Sequence, residues 1–374
     1  MENIHDTTYS AENMKKKLSI IDWYIIRKFL GTFFFTIFLF IAIIVIIDYT
    51  QKVDNFTKTS APFKAIVFDY YLNFIPSFIN AFSSLFVFIA VIFFTTKLAD
   101  NSEIIAMLSS GLSFDRLVVP YMISAAIIAI STFGLNSFII PPGNVIRLEF
   151  EKKYVSAPRT YVAPHIQLVV EPGLYAYIGS FTTYDNRGNG FTLDRFEGKE
   201  LVSRLTARTV TWDSAYHWTI NNYTIRNFEG MKETIITGAK MDTVLAITPA
   251  DFLVSYGDYE KLTTPKLKTY IDRQKKRGIG NIQLFEIEYH RRYATSFASF
   301  ILTIIGVSLS SRKIKGGMGM NIGMGLLLSF SYILFMQITS TFAVSGIVSP
   351  MIAVWIPNLL FIIIAAALYT KAQR

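Results

Sequence analysis

FLGTFFFTIFLFIAIIVII, residues Phe29–Ile47, holds no charged side chain, and its only polar side chains are the hydroxyls of Thr32 and Thr36. A helix needs ~20 apolar residues to cross the hydrocarbon of a bilayer, so this stretch reads as a membrane span. Five more stretches reach that length: Ala65–Thr96, Val118–Ile140, Tyr293–Ser310, Met320–Ala343 and Pro350–Tyr369. Between the third and the fourth lie residues 141–283, which are polar and strand-like. The pattern predicts an α-helical membrane protein with six transmembrane helices, three plus three, and one folded insert on one side of the membrane.

Composition agrees. Of 374 residues, 52% are hydrophobic and 17% charged, against ~25% charged in soluble domains. The 32 Phe and 20 Tyr suit membrane helices and their interfaces. The net charge of +9 is dispersed, with no arginine-rich arm or nucleic-acid motif, so no nucleic-acid partner is expected. Cysteine is absent, which excludes disulfides and thiolate metal sites. The N-terminus lacks a cleavable signal pattern, and Lys15–Lys17 precede a span expected to be retained.

Positive charge orients the spans. Lys15, Lys16, Lys17, Arg27 and Lys28 precede span one, Lys97 and Arg116 flank the loop between spans two and three, Arg312, Lys313 and Lys315 lie between spans four and five, and Lys371 and Arg374 follow span six. Lys/Arg near span ends favours the cytoplasm, and alternate counting puts all four segments on that side. Both termini are then cytoplasmic, and residues 141–283 lie outside. The insert is itself basic, with 19 Lys/Arg against 15 Asp/Glu, but long translocated domains obey the charge rule weakly.

Residues 1–28 read as a polar tail followed by a helical segment, Ser19–Lys28, that either lies along the membrane surface or forms the first turns of span one. Span one is expected to end at Asp48. Pro76 interrupts span two, as a kink or a tolerated structural proline. Within residues 29–140, the loop after span two is patterned: Lys97-Leu-Ala-Asp-Asn-Ser-Glu-Ile-Ile-Ala-Met-Leu-Ser-Ser-Gly-Leu-Ser. Asp100 and Glu103 have capping-box spacing, and Gly111 suits a helix stop. The helix predicted over 100–111 carries Ile104, Ile105, Met107 and Leu108. It is too short to span a bilayer and too apolar to sit free in water. It packs either on its own bundle or on a cytoplasmic partner.

The insert reads as antiparallel β, of sandwich, barrel or jelly-roll type. Its strand-length runs are Ile166–Val170, Leu174–Thr183, Gly190–Glu197, Glu200–Trp212, Trp218–Phe228 and Met231–Thr237, separated by turn residues. A helix over Thr264–Lys276 leads back to the last three spans, within residues 284–374.

Chemistry is sparse. His5, His165, His217 and His290 have no metal-ligand spacing, and no nucleotide loop is present. The run Gly316-Gly-Met-Gly-Met-Asn-Ile-Gly-Met-Gly opens a span, where small residues permit close helix packing. Glu286, Glu288, His290, Arg291 and Arg292 enter span four from the outer side, with Glu286/His290 and Glu288/Arg292 at i, i+4. They form either an interfacial charge belt or the lining of a cavity that meets an anionic ligand.

At Ser102-Glu-Ile-Ile-Ala-Met-Leu-Ser-Ser-Gly-Leu-Ser the chain resembles the lipopolysaccharide export permeases, the LptF/LptG (YjgP/YjgQ) family. Ile21-Asp-Trp-Tyr-Ile-Ile-Arg-Lys-Phe-Leu-Gly-Thr-Phe, Tyr289-His-Arg-Arg-Tyr-Ala, Ser311-Arg-Lys-Ile-Lys-Gly-Gly and Ala353-Val-Trp-Ile-Pro-Asn-Leu-Leu add to the resemblance, in order along nearly the whole chain. The resemblance implies a permease half of an ABC-type exporter in the bacterial inner membrane. Such a half pairs with a second related half, binds a cytoplasmic ATPase dimer, and can carry a single-span regulatory subunit. It extracts lipopolysaccharide and passes it through a periplasmic β-jelly-roll to a periplasmic bridge towards the outer membrane. It has no nucleotide site or cofactor of its own, because ATP sits on the partner.

By matching position, the resemblance makes Glu103 the glutamate of the coupling helix and Asp100, Ser102, Glu103, Ile104, Met107, Leu108 and Gly111 the ATPase contact. Cargo of this kind wants an apolar cavity with a basic rim. Lys52, Lys58, Lys64, Arg147, Lys152 and Lys153 lie where that rim is expected, on the outer flanks of spans one to three. Ile166, Leu168, Val170, Tyr175, Tyr177 and Ile178 either line a groove for acyl chains or form ordinary core. The competing readings are a membrane receptor or sensor with an outer ligand-binding β domain, an integral enzyme of lipid metabolism, and a secondary transporter.

Overall fold

A computed structural model of the chain describes residues 19–155, 162–182, 184–249, 258–276, 282–312 and 317–373. The expected tail Met1–Lys17 and the loop lysines Lys313 and Lys315 lie outside these. Two compact units result, one formed by the chain up to Arg147 and again from His290, the other by Leu148–Tyr289.

The first unit is the membrane part. Among the described residues, six helices are long and apolar enough to cross a bilayer. Span one runs unbroken over Ile20–Lys58, so Ser19–Lys28 forms its first turns. Ser19 caps it: the Asp22 amide donates to Ser19 Oγ at 3.3 Å and the Ser19 amide donates to Asp22 Oδ2 at 2.7 Å. The expected stop at Asp48 is corrected, because a single charge does not interrupt backbone hydrogen bonding. Lys52, one turn later, also neutralises that charge at 2.8 Å.

Span two is assembled from Phe63–Ala65, a π-helical turn over Ile66–Tyr71, a helix over Leu72–Ala81 and a helix over Ser83–Asp100. Proline lacks an N–H and its ring clashes with the carbonyl four residues back. The π turn directly precedes that carbonyl for Pro76, and the helix breaks at Phe82 (φ −106°). The same device recurs in span three. Phe114–Gly134 passes through a π turn over Leu135–Ile139 just before Pro141 and Pro142, and continues as Ile140–Tyr154. The helix therefore extends into residues read above as the start of the insert. Spans four, five and six are Gln283–Ser310, Gly317–Val344 and Pro350–Gln373.

Span two is the centre of this unit. Its Phe86, Val87, Ala90, Val91, Phe94 and Leu98 pack with Ile25, Phe29, Phe33 and Ile37 of span one and with Leu117, Val118 and Tyr121 of span three. Spans four and five approach it closely. A Cβ on Gly306 would sit 2.6 Å from Val91 Cγ1, and one on Gly325 would overlap Ile92 Cδ1. In the glycine run of span five, Gly319 and Gly323 have open space around them, so Gly325 is where small size is used. Asn358 of span six joins spans four and five. Its Nδ2 donates to the Ala294 carbonyl at 2.9 Å, and its Oδ1 accepts from Tyr332 Oη at 2.9 Å.

Among the described residues of the second unit, six antiparallel strands form one sheet in the order β1-β2-β3-β4-β5-β6: β1 Val162–Glu171, β2 Leu174–Thr182, β3 Arg187–Glu197, β4 Glu200–Ser214, β5 His217–Glu229 and β6 Lys232–Val244. Every connection is a hairpin between sequence neighbours, which two-strand local pairing favours. Left-handed turn residues (Gly173, Asn186, Gly198, Ala215, Gly230) mark the five hairpins. One face buries Ile166, Leu168, Ile178, Phe181, Phe191, Val210, Trp218 and Ile220. A helix over Thr264–Lys276 follows, over the residues expected for it.

Candidate functional site

The loop after span two folds into a helix over Glu103–Ser109. Its start differs from the expected capping box. Asp100 is the last residue of span two and so has helical backbone, which an N-cap cannot have. The reversal is made instead by Ser102, in the left-handed region (φ 63°) and without a side-chain cap bond. The end is a Schellman turn at Gly111 (φ 91°). The Leu112 amide donates to the Met107 carbonyl at 3.4 Å and the Gly111 amide to the Leu108 carbonyl at 3.1 Å.

This helix has two dissimilar apolar faces. Ile104 is buried in the membrane unit, and Met107 and Leu112 pack against the same cluster. Ile105 and Leu108 are exposed, at 54% and 36%. The Glu103 carboxylate accepts from Tyr24 Oη of span one at 3.0 Å and from Asn101 Nδ2 at 3.1 Å. Ser102, Glu103, Ile104, Met107, Leu108 and Gly111 thus belong to one turn-helix-turn, rooted on one side and bare on the other, and Asp100 ends span two just before it.

Sequence reasoning missed what surrounds it. Buried Asp22 takes a bidentate bond from Arg116, with Nη1 2.8 Å from Oδ1. This fastens the start of span one to the start of span three. Ser113 caps span three by accepting from the Arg116 amide. Asp115 accepts from Tyr369 Oη and Gln373 Nε2, both at 2.5 Å, and Phe114 packs on the Tyr369 ring. Arg312 donates to the Ala372 carbonyl at 3.0 Å. The signals were faint: Ser19-x-x-Asp22 is a cap pattern, but nothing local names Arg116 as its partner.

The expected rim residues behave differently from one another. Lys52 is engaged by Asp48 and by the Tyr70 hydroxyl, and lies 4.5 Å from the Tyr70 ring centroid. Tyr70 and Tyr71 also donate to Asp48. Lys58 and Lys64 are exposed in the membrane unit. Arg147 is half-buried. Lys152 and Lys153 are exposed in the second unit, with Lys153 5.0 Å from the Tyr154 ring centroid.

At the span-four entrance, Glu286 forms an ion pair with Lys275. His290 and Arg291 are half-buried. Glu288 and Arg292 are buried, at 5% and 1% exposure, so Arg292 does not snorkel to water.

The six insert residues grouped as a groove do not share a face. Ile166, Leu168 and Ile178 are in the core and Val170 packs on it. Tyr175 and Tyr177 alternate to the opposite face, as strand pleating requires. On that side lies an open groove of about 520 Å³, with Gln167, Val169, Tyr175, Tyr177, Thr192, Asp194 and Arg204 in its lining. Asp194 beside Arg204 raises the guanidinium above its ordinary pKa.

A family model described as the lipopolysaccharide export system permease LptF/LptG matches residues 23–371. A comparison with curated proteins found no match.

Proposed function

The chain belongs to the LptF/LptG family of lipopolysaccharide export permeases, and we propose that it is one half of an ATP-driven exporter, coupled to its ATPase through the helix Glu103–Ser109. The observation that carries this is the two-faced character of that helix. Ile104 and Met107 root it in the membrane bundle, while Ile105 and Leu108 are left bare. A rooted helix transmits displacement, and a bare apolar patch on it wants a partner. At ~1.5 Å per residue the helix is ~10 Å long, a peg of the size a groove on another protein accepts. Glu103 is held by Tyr24, so a push on the peg is felt directly by span one as well as by span two.

In this reading both termini and the peg are cytoplasmic and the sheet is periplasmic, supported by the placement of Lys/Arg at the span ends. A second related half completes the permease, and a single-span subunit can regulate it. The cargo's phosphates meet the exposed lysines of the outer flanks, Lys58 and Lys64 on the membrane unit and Lys152 and Lys153 on the insert. Lys52 contributes only by leaving Asp48. The lipid then passes to the periplasmic bridge.

The test is purification of the tagged chain in detergent, followed by assay for a retained cytoplasmic ATPase. Retention that falls on Glu103→Lys or Leu108→Asp supports coupling through the peg. A chain that purifies without ATPase, or retention indifferent to both substitutions, refutes it.

A further inference from the structure

The insert's sheet uses one face for its core, and the other is too organised to be a mere solvated surface. Strand register places Gln167, Tyr177, Thr192, Thr206, Thr224 and Thr237 side by side in one row across all six strands. The adjacent row carries Tyr175, Asp194 and Arg204 in register. Neighbouring strands lie ~4.8 Å apart, so the face is a regular ladder of hydroxyls with two tyrosines at one end. The groove of about 520 Å³ lies at that end.

Its chemistry selects among ligands. Arg204 donates through Nε and Nη2 to the two Asp194 oxygens at 2.7 and 2.8 Å. On the next strand, Arg226 is 3.6 Å from Glu233. The charge is compensated, so an isolated phosphate gains little there. An acyl chain would cover Gln167, Thr192 and the ion pair without replacing their water, which costs free energy for each polar group left unmade. A neutral sugar meets neither objection. Its C–H face stacks on an aromatic ring, and its hydroxyls both donate to a carboxylate or amide oxygen and accept from an amide, guanidinium or threonine hydroxyl. Tyr175 is 47% exposed and is braced edge-on by Phe196, with centroids 5.6 Å apart and planes at 86°. Such bracing lowers the ordering cost of binding.

We propose that this face of the insert is a carbohydrate-binding site centred on Tyr175 and Tyr177, with Gln167, Thr192, Asp194 and Arg204 bonding the hydroxyls. It takes the neutral sugar portion of a glycolipid while the lipid portion is held elsewhere. This rests on the export reading only for the source of the sugar.

The test uses the full chain in nanodiscs and a neutral oligosaccharide of heptoses and hexoses, free of lipid, phosphate and acidic or amino sugars. Saturation-transfer NMR is expected to show contact with the sugar ring protons. Tyr175→Ala is expected to weaken binding by about tenfold, the loss of one good aromatic contact, while Tyr175→Phe keeps the stacking and stays within about twofold. Excess inorganic phosphate does not displace the sugar. The proposal is overturned by absence of transfer to the wild type, by displacement with phosphate, or by binding that survives both Tyr175→Ala and Tyr177→Ala. Both variants sit on a face outside the core, and circular dichroism checks that the sheet persists. ATPase retention without sugar binding sinks this site alone, and sugar binding without ATPase sinks the export mechanism alone.

Discussion

Removing either member of the Asp22–Arg116 pair tests whether span one is clamped to span three. The Asp22 side chain is 3% exposed and the Arg116 side chain 38% exposed. Leaving one partner of a fully buried pair alone costs ~3–5 kcal/mol. Water reaches the guanidinium here, and exposed pairs contribute only ~0–1 kcal/mol, so Arg116→Ala should cost ~2–3 kcal/mol, most of it the stranded Asp22 carboxylate. Asp22→Ala leaves only the part-exposed Arg116 behind, at a cost of ~0–1 kcal/mol, and also removes the capping box with Ser19, worth ~1 kcal/mol, for a total of ~1–2 kcal/mol. The double variant should cost no more than Asp22→Ala, because the charge left uncompensated by Arg116→Ala is gone. The coupling energy of the cycle then equals the cost of Arg116→Ala, ~2–3 kcal/mol. Each variant is titrated with SDS in mixed micelles and the helical signal followed by circular dichroism. Additive single effects, with coupling below ~0.5 kcal/mol, would refute the clamp, since independent sites add to within about that margin. Asp22→Asn is the informative intermediate. It keeps the cap but not the charge, and so should recover the ~1 kcal/mol assigned to the cap.

Other expectations follow from contacts on the same helices. Gly325→Leu drives a side chain into Ile92; overpacking of this kind costs ~1–3 kcal/mol, measured as a lower unfolding midpoint, while Gly323→Leu, with open space around it, should leave the midpoint unchanged. Asn358→Leu leaves Tyr332 Oη and the Ala294 carbonyl without their partner and should destabilise by ~1–3 kcal/mol in the same titration. Gly111→Val places a β-branched residue at φ 91° and costs ~1–3 kcal/mol of local strain, seen as faster amide exchange over Glu103–Ser109 with the spans unaffected.

The six spans were legible because the information lies in composition, which a window of ~20 residues averages without knowing any contact. The strands were legible for a related reason. Turn residues and β-branched runs alternate locally, and each strand of this sheet pairs with its neighbour in sequence. What stayed hidden depends on helix rotation. Asp22 and Arg116 lie 94 positions apart, and Asp115 and Tyr369 lie 254 apart. Whether two such residues meet is set by which side of each helix faces the bundle, and spans apolar all round carry almost no moment to reveal it. Asp48 misled for the opposite reason. A charge ends an apolar run in sequence, yet in the helix Lys52 and two tyrosines absorb it.

The same distinction separates the peg from the groove. The helix over Glu103–Ser109 was visible because a short apolar run that stops at Gly111 is anomalous in a loop. The groove was hidden because its residues are ordinary strand formers. Thr, Tyr and Gln attract no notice singly, and grouping Tyr175 and Tyr177 with Ile166 and Leu168 ignored the period of two that puts them on opposite faces. Register is what turns them into a site. Thr192 faces Thr206 and Asp194 faces Arg204 only in the observed pairing, and a slip of one residue would send every one of these side chains into the core. The buried face therefore specifies the exposed one. Leu193 and Leu205 must point inward to pack, and their inward direction holds Thr192, Asp194, Arg204 and Thr206 outward, at spacings that neither row of side chains could set by itself.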